Sequence, residues 1–157
     1  LKPCWQELGR GMEGTGAAGA TPGHGGGALD VVFFDFDSTL SVPTYIRRAQ
    51  RHALADNPRL FAGMTDSEVV ANFGGEDRID RLEAMLRRLQ ENGVELFIIS
   101  LGFTTAIRNH LCRVSLGAFF PPERIFGQDS QELAEVGHRK ARLIQRLLEK
   151  GGWPRER

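Results

Sequence analysis

The run Val31-Val32-Phe33-Phe34 passes straight into Asp35-Phe36-Asp37 and then into Ser38-Thr39-Leu40. Four consecutive apolar residues, two β-branched and two aromatic, read as a strand buried on both faces. With its flanks this strand is predicted over 29–36. A strand covered on both sides requires helices above and below it, which points to an α/β architecture with a parallel sheet. In an open sheet of that kind, ligands bind just beyond the carboxyl ends of the strands. A buried strand that delivers two carboxylates to that rim is therefore a candidate site. Asp, Ser and Thr also favour plain turns, because their side chains bond the local backbone. The apolar run before the acids and Thr39-Leu40 after them set this stretch apart from a bare turn.

The remainder of the chain supplies alternating helices and strands. Residues 44–55 carry a thin apolar stripe (Tyr45, Ile46, Ala49, Ala53), and Asn57-Pro58 is expected to end that helix. A second short helix is predicted over 66–73, with Thr65 or Asp66 as its cap. Gly74-Gly75 then breaks the chain. Residues 41–75 thus form a small insertion between the first strand and the main helix, which by itself reads as an ordinary connection with two surface helices. Over 76–92, Ile79, Leu82, Met85, Leu86 and Leu89 recur at helical spacing, with Glu76 and Asp77 in the first turn and Asn92-Gly93 as the stop. Residues 94–99 form the second buried strand, which ends at Ser100. Gly102 lets the chain turn into a helix striped by Phe103, Ile107, Leu111 and Val114. Ile125-Phe126 is a third, short strand. Residues 128–136 read as a loop or a turn of helix. A last helix follows Gly137-His138-Arg139-Lys140, with Leu143, Ile144, Leu147 and Leu148 inward and Gly151-Gly152 beyond its end.

Length and charge narrow the function classes. A chain of 157 residues is one domain's worth. Twenty Lys and Arg against twenty Asp and Glu give a formal net charge of zero, which calls for neither nucleic acid nor an anionic membrane as partner. No apolar stretch approaches the roughly 18 residues of a spanning helix. Residues 1–28 are glycine-rich with little apolar surface, so they are read as a tail or linker, leaving 29–157 as the folding unit. They are not read as a nucleotide-binding loop, since no apolar strand leads into the glycines. Cys4 and Cys112 sit far apart in dissimilar settings and are read as free thiols, as in a reducing, cytoplasmic compartment. The four histidines show no metal-ligand spacing with either cysteine and are expected to be surface or structural residues.

The Asp35-Phe36-Asp37-Ser38-Thr39-Leu40 run resembles the first signature motif of the haloacid dehalogenase (HAD) superfamily, most members of which are Mg2+-dependent phosphatases. Ile98-Ile99-Ser100 is similar to the second motif, an apolar strand ending in a hydroxyl that binds the phosphoryl group. Lys140 at a helix start is similar to the third, whose ammonium neutralises the phosphoryl oxygens and the nucleophile; Arg139 and Arg142 compete for that role. The resemblance covers roughly residues 29–150. It implies a Rossmann-like three-layer sandwich with 41–75 as a small cap. It also implies Asp35 as nucleophile, Asp37 as general acid and base, and Ser100, Lys140, Ser38 and Thr39 as substrate-binding residues. Mg2+ would be the cofactor, held by the Asp35 carboxylate and the Asp37 backbone carbonyl. The substrate would be a phosphate monoester, on a small molecule or a protein.

The pattern departs from the family at its fourth motif, an apolar strand ending in acids that completes the metal site. After the Lys140 helix comes only Gly151-Gly152-Trp153-Pro154-Arg155-Glu156-Arg157. The sequence starts at Leu1 and breaks off where that strand is due, so it reads as a truncated piece of a longer product. Without that strand, Val31 to Phe34 is expected to lie on a sheet edge open to association with another chain. Three functions follow as expectations: a phosphatase of HAD type, a non-catalytic or decayed HAD-like domain that binds phosphorylated partners, or an α/β interaction domain with a coincidental Asp-x-Asp.

Overall fold

The structure is a computed structural model, and residues 29–153 are described. The segment 1–28, read above as a tail or linker, lies outside the described residues, as does Cys4. Three strands, β1 (Val31–Phe34), β2 (Glu95–Ile99) and β3 (Ile125–Phe126), form one parallel sheet in the order β1-β2-β3. Val31 pairs with Glu95 and Phe34 with Ile98, while Ile98 and Ile99 pair with Ile125 and Phe126. Each parallel pair is joined by a helical crossover, which parallel geometry demands. The crossover from β1 to β2 ends in α4 (Glu76–Glu91), and that from β2 to β3 holds α5 (Thr104–Arg113). α6 (Gln131–Glu135) and α7 (Lys140–Gly151) follow β3.

The period-two alternation of the strands builds two cores. Val32, Phe34, Leu96, Ile98 and Ile125 face the larger one, which also holds Ile79 and Leu86 of α4 and Ile107 and Leu111 of α5. Val31, Phe33, Phe97, Ile99 and Phe126 face the other, closed by Leu133 of α6 and Leu143 of α7. Helices therefore cover both faces, an α/β arrangement compatible with a Rossmann-like sandwich. β1 has a strand neighbour on one side only among the described residues.

Between β1 and α4 the chain forms three short helices rather than two: α1 (Pro43–Ala49), α2 (Asn57–Ala62) and α3 (Asp66–Asn72). Asn57-Pro58 opens a helix instead of ending one, because proline's missing N–H costs nothing in a first turn. α3 starts in a capping box. The Thr65 hydroxyl accepts from Glu68 N at 3.3 Å, and Thr65 N donates to the Glu68 carboxylate at 2.8 Å. Each of these helices buries one face. Tyr45 stacks on Phe61 at 4.4 Å between ring centroids and meets Phe36 and His110 edge-on at 5.2 and 5.1 Å. Aromatic burial of this kind fixes the insertion on α5 and on the turn after β1.

Cys112 also departs from expectation. It is disulfide-bonded and no described cysteine is free, so it gives no sign of a reducing compartment. Among the described residues no helix is long and apolar enough to cross a membrane.

Candidate active site at the carboxyl rim of the sheet

Beyond Phe34 the chain stays extended at Asp35 (φ −77°, ψ 148°) and then makes a tight turn over Phe36–Leu40. Phe36 is fully buried and anchors the turn in the larger core against Tyr45 and Phe73. With Phe36 pointing inward, the two flanking aspartates are free to reach the rim. Ser41 laces the turn: its N–H and its hydroxyl both donate to Phe36 O, at 2.9 and 3.0 Å, and its Oγ accepts from Ser38 N at 3.3 Å. Ser38 sits at φ +61°, a left-handed conformation uncommon for a residue with a Cβ.

Each aspartate meets one partner from elsewhere in the fold. Asp35 Oδ1 lies 2.8 Å from Lys140 Nζ, at the first residue of α7. A cation at a helix N-terminus opposes the helix dipole, and the carboxylate offsets that. Arg139 and Arg142 are exposed, so of the three cations near this helix start, Lys140 is the one paired with Asp35. Asp37 Oδ2 accepts from the hydroxyl of fully buried Ser100 at 2.8 Å. That hydroxyl in turn accepts from Gly102 N at 2.9 Å, which fixes its orientation. Burial pushes the Asp37 carboxyl above the usual carboxylate range. The Ser100 hydrogen bond and the Lys140 charge pull the other way, and the Asp35 charge adds to the rise.

Each carboxylate also has a buried oxygen that accepts no hydrogen bond. Asp35 Oδ1 and Asp37 Oδ1 are buried and lack a hydrogen bond; the Lys140 ammonium is close to the first but outside hydrogen-bond geometry. Buried anionic oxygens without donors suit a hard cation, and Mg2+ commonly takes only one or two protein carboxylates and keeps its waters. The Asp35 carboxylate therefore fits such an ion. No group of three or more His, Cys, Asp or Glu side chains is placed for a metal among the described residues.

Of the six residues expected from the sequence, four come together: Asp35 with Lys140, and Asp37 with Ser100. Ser38 and Thr39 are exposed on the same turn and hydrogen-bond through their backbone N–H and carbonyl. Three further contributors escaped the sequence reading. Gln128, just past β3, donates its N–H to Gly102 O at 2.9 Å, and its own carbonyl pairs with His138 Nε2 at 2.9 Å. This ties the Ser100 loop to the segment that leads into Lys140. Asp129 accepts from Thr104 N and Thr104 Oγ1 at 2.8 and 2.7 Å, capping α5 from the same loop. Gly127 allows that approach, since a Cβ there would fall 2.4 Å from Thr104 N. The third is Arg78, whose guanidinium binds the carbonyls of Thr39 and Leu40 at 2.7 and 2.6 Å. A sequence signal existed for it: arginine in a first turn, where the helix dipole favours acids, calls for a specific partner.

No family model matches the chain, and no curated protein sequence matches it.

Proposed function

We propose that the chain is a Mg2+-dependent phosphatase of HAD type, hydrolysing a phosphate monoester through an aspartyl-phosphate. What carries this reading is one arrangement: at the rim of adjacent parallel strands, Asp35 is paired with Lys140 and Asp37 is bonded to Ser100. The Asp35 carboxylate attacks phosphorus and forms the acyl-phosphate bond as the ester oxygen leaves. Asp37, whose carboxyl burial pushes above the usual carboxylate range, gives that oxygen its proton. The resulting Asp37 carboxylate then takes a proton from the water that attacks phosphorus, and Asp35 leaves with inorganic phosphate released. Lys140 and Ser100 bear on the phosphoryl oxygens, where charge develops. Mg2+ would be held by the Asp35 carboxylate and the Asp37 backbone carbonyl, and would supply positive charge against the phosphate dianion. The insertion over 41–75 would act as a small cap that selects the leaving group.

A second reading has its own observation. No third acidic side chain joins Asp35 and Asp37 among the described residues. A non-catalytic HAD-like domain that binds a phosphorylated partner fits that as well. The test is hydrolysis of p-nitrophenyl phosphate with and without Mg2+, alongside 19F NMR of fluoroberyllate binding. The enzyme shows Mg2+-dependent turnover that Asp35→Asn lowers by at least about three orders of magnitude while the melting temperature holds. Fluoroberyllate or phosphate binding without turnover selects the binding domain. Neither turnover nor binding removes both readings.

A further inference from the structure

Arg78 lies in the first turn of α4, yet its guanidinium meets backbone carbonyls and no carboxylate. Nη1 donates to Leu40 O at 2.6 Å and to Phe73 O at 2.8 Å, and Nη2 donates to Thr39 O at 2.7 Å. These three acceptors come from two separate stretches. Thr39 and Leu40 close the turn that carries Asp37, just ahead of α1. Phe73 follows α3 and ends the helical insertion. Beside the guanidinium, Val42 N donates to Asn72 O at 2.8 Å, joining the same two stretches a second time. Gly74, at φ +86°, packs directly on the joint: a Cβ there would stand 3.0 Å from both Arg78 Cδ and Val42 Cγ1. Only a planar fork with several fixed donors spans three carbonyls in this way; a lysine ammonium on a flexible stem does not reproduce it.

We propose that Arg78 is a positioning residue: it clasps the entrance and the exit of the insertion to the turn that carries Asp37, so that insertion and Asp37 move as one unit. Its consequence for turnover rests on the phosphatase reading; the coupling itself does not. A leaving group that touches the insertion then acts on the general acid without touching it.

Arg113 provides the control. It bolts the middle of the insertion to α5, through Met64 O at 2.6 Å and the Asp66 carboxylate at 2.8 Å from Nε, and touches nothing in the Asp37 turn. Amide hydrogen exchange of the whole chain is followed by mass spectrometry for the wild type, Arg78→Lys and Arg113→Lys. Charge-assisted bonds are lost in both variants, so exchange at the affected amides is expected to quicken about tenfold or more. In Arg78→Lys the acceleration falls together on the peptides holding Ser41 and Val42 and on those holding Gly74 and Gly75. In Arg113→Lys it falls on 64–68 and spares Ser41 and Val42. Unchanged exchange at Ser41 and Val42 in Arg78→Lys overturns the proposal, as does equal acceleration there in Arg113→Lys. Where the wild type hydrolyses p-nitrophenyl phosphate, Arg78→Lys lowers kcat about tenfold with KM little changed, and Arg113→Lys does not. Wild-type turnover in Arg78→Lys despite faster exchange also overturns it. A wild type without turnover removes the phosphatase reading alone, and the exchange pattern still decides the coupling.

Discussion

Lys140 separates stability from chemistry at a single residue. Its side chain is 31% exposed and that of Asp35 43%, so solvent screens the pair and its contribution to folding is about 1 kcal/mol or less. On the phosphatase reading, the same ammonium is worth far more at a phosphoryl group in flight, because the developing charge has few other partners there. We therefore expect Lys140→Met to change the melting temperature little while lowering turnover by about two to three orders of magnitude. A large thermal loss with turnover retained would falsify the catalytic placement of Lys140. Asp35 and Asp37 were legible in the sequence because an apolar strand names the sheet rim by itself. Ser100 and Lys140 were legible only through their order relative to that strand. Gln128 and His138 were not, because they meet backbone groups, which carry no residue-type signature; Arg78 was missed although an arginine in a first helical turn is itself a signal. Ser38 and Thr39 show the converse. Their side chains drew attention as hydroxyls, while the structure uses Ser38 through its backbone N–H and Thr39 through its carbonyl.

At the level of elements, the exposed side of β1 makes its own prediction. Asp30 O accepts from Glu95 N at 2.9 Å, so the backbone groups of residue 30 face β2. Alternation then turns the N–H and C=O groups of Val31 and Phe33 toward the other side, where no described strand meets them. Such an edge pairs readily with another chain. Sedimentation velocity is expected to show concentration-dependent association, and Val31→Pro is expected to reduce it. Proline at the first position of a strand removes an edge donor and leaves the β2 ladder intact. A wild type that stays monodisperse and melts cooperatively at high concentration rules this out. The strands themselves were easy to read, since short apolar runs between glycines allow few alternatives, although the sequence reading overran β1 by two residues at each end. The insertion was harder. Its apolar residues are sparse and aromatic, so the periodicity over 44–55 overran α1 and hid α2 behind Asn57-Pro58. What orders that region is a tertiary cluster around Tyr45, and no local pattern reports on contacts with residues as far along the chain as His110.

For the molecule as a whole, that cluster encloses a titratable group. His110 on α5 is fully buried; its Nδ1 lies 3.1 Å from Ala106 O and its Nε2 3.1 Å from Asn72 Nδ2 on α3. Nδ1 therefore carries the proton and Nε2 accepts, which is the neutral imidazole. Burial is the main cause that lowers its pKa to about 4, with the Arg113 charge assisting and the Ala106 bond opposing. In the unfolded chain the group returns to its ordinary value near 6.5. Between those values the unfolded state binds the extra proton, so folding stability falls as pH drops through 6.5 and stops falling for this reason below about 4. The loss between pH 7 and pH 5 is on the order of 2 kcal/mol, a large share of a small domain's stability. Carboxylates titrate in the lower part of the same window, so the wild type alone does not isolate the effect. His110→Gln does: its amide oxygen can still accept from Asn72, but it takes up no proton. The variant is expected to be less stable at pH 7, yet to lose less on acidification, so the two urea midpoints converge between pH 7 and pH 5. Parallel midpoints across that range would mean that the insertion is not held to α5 by a neutral histidine.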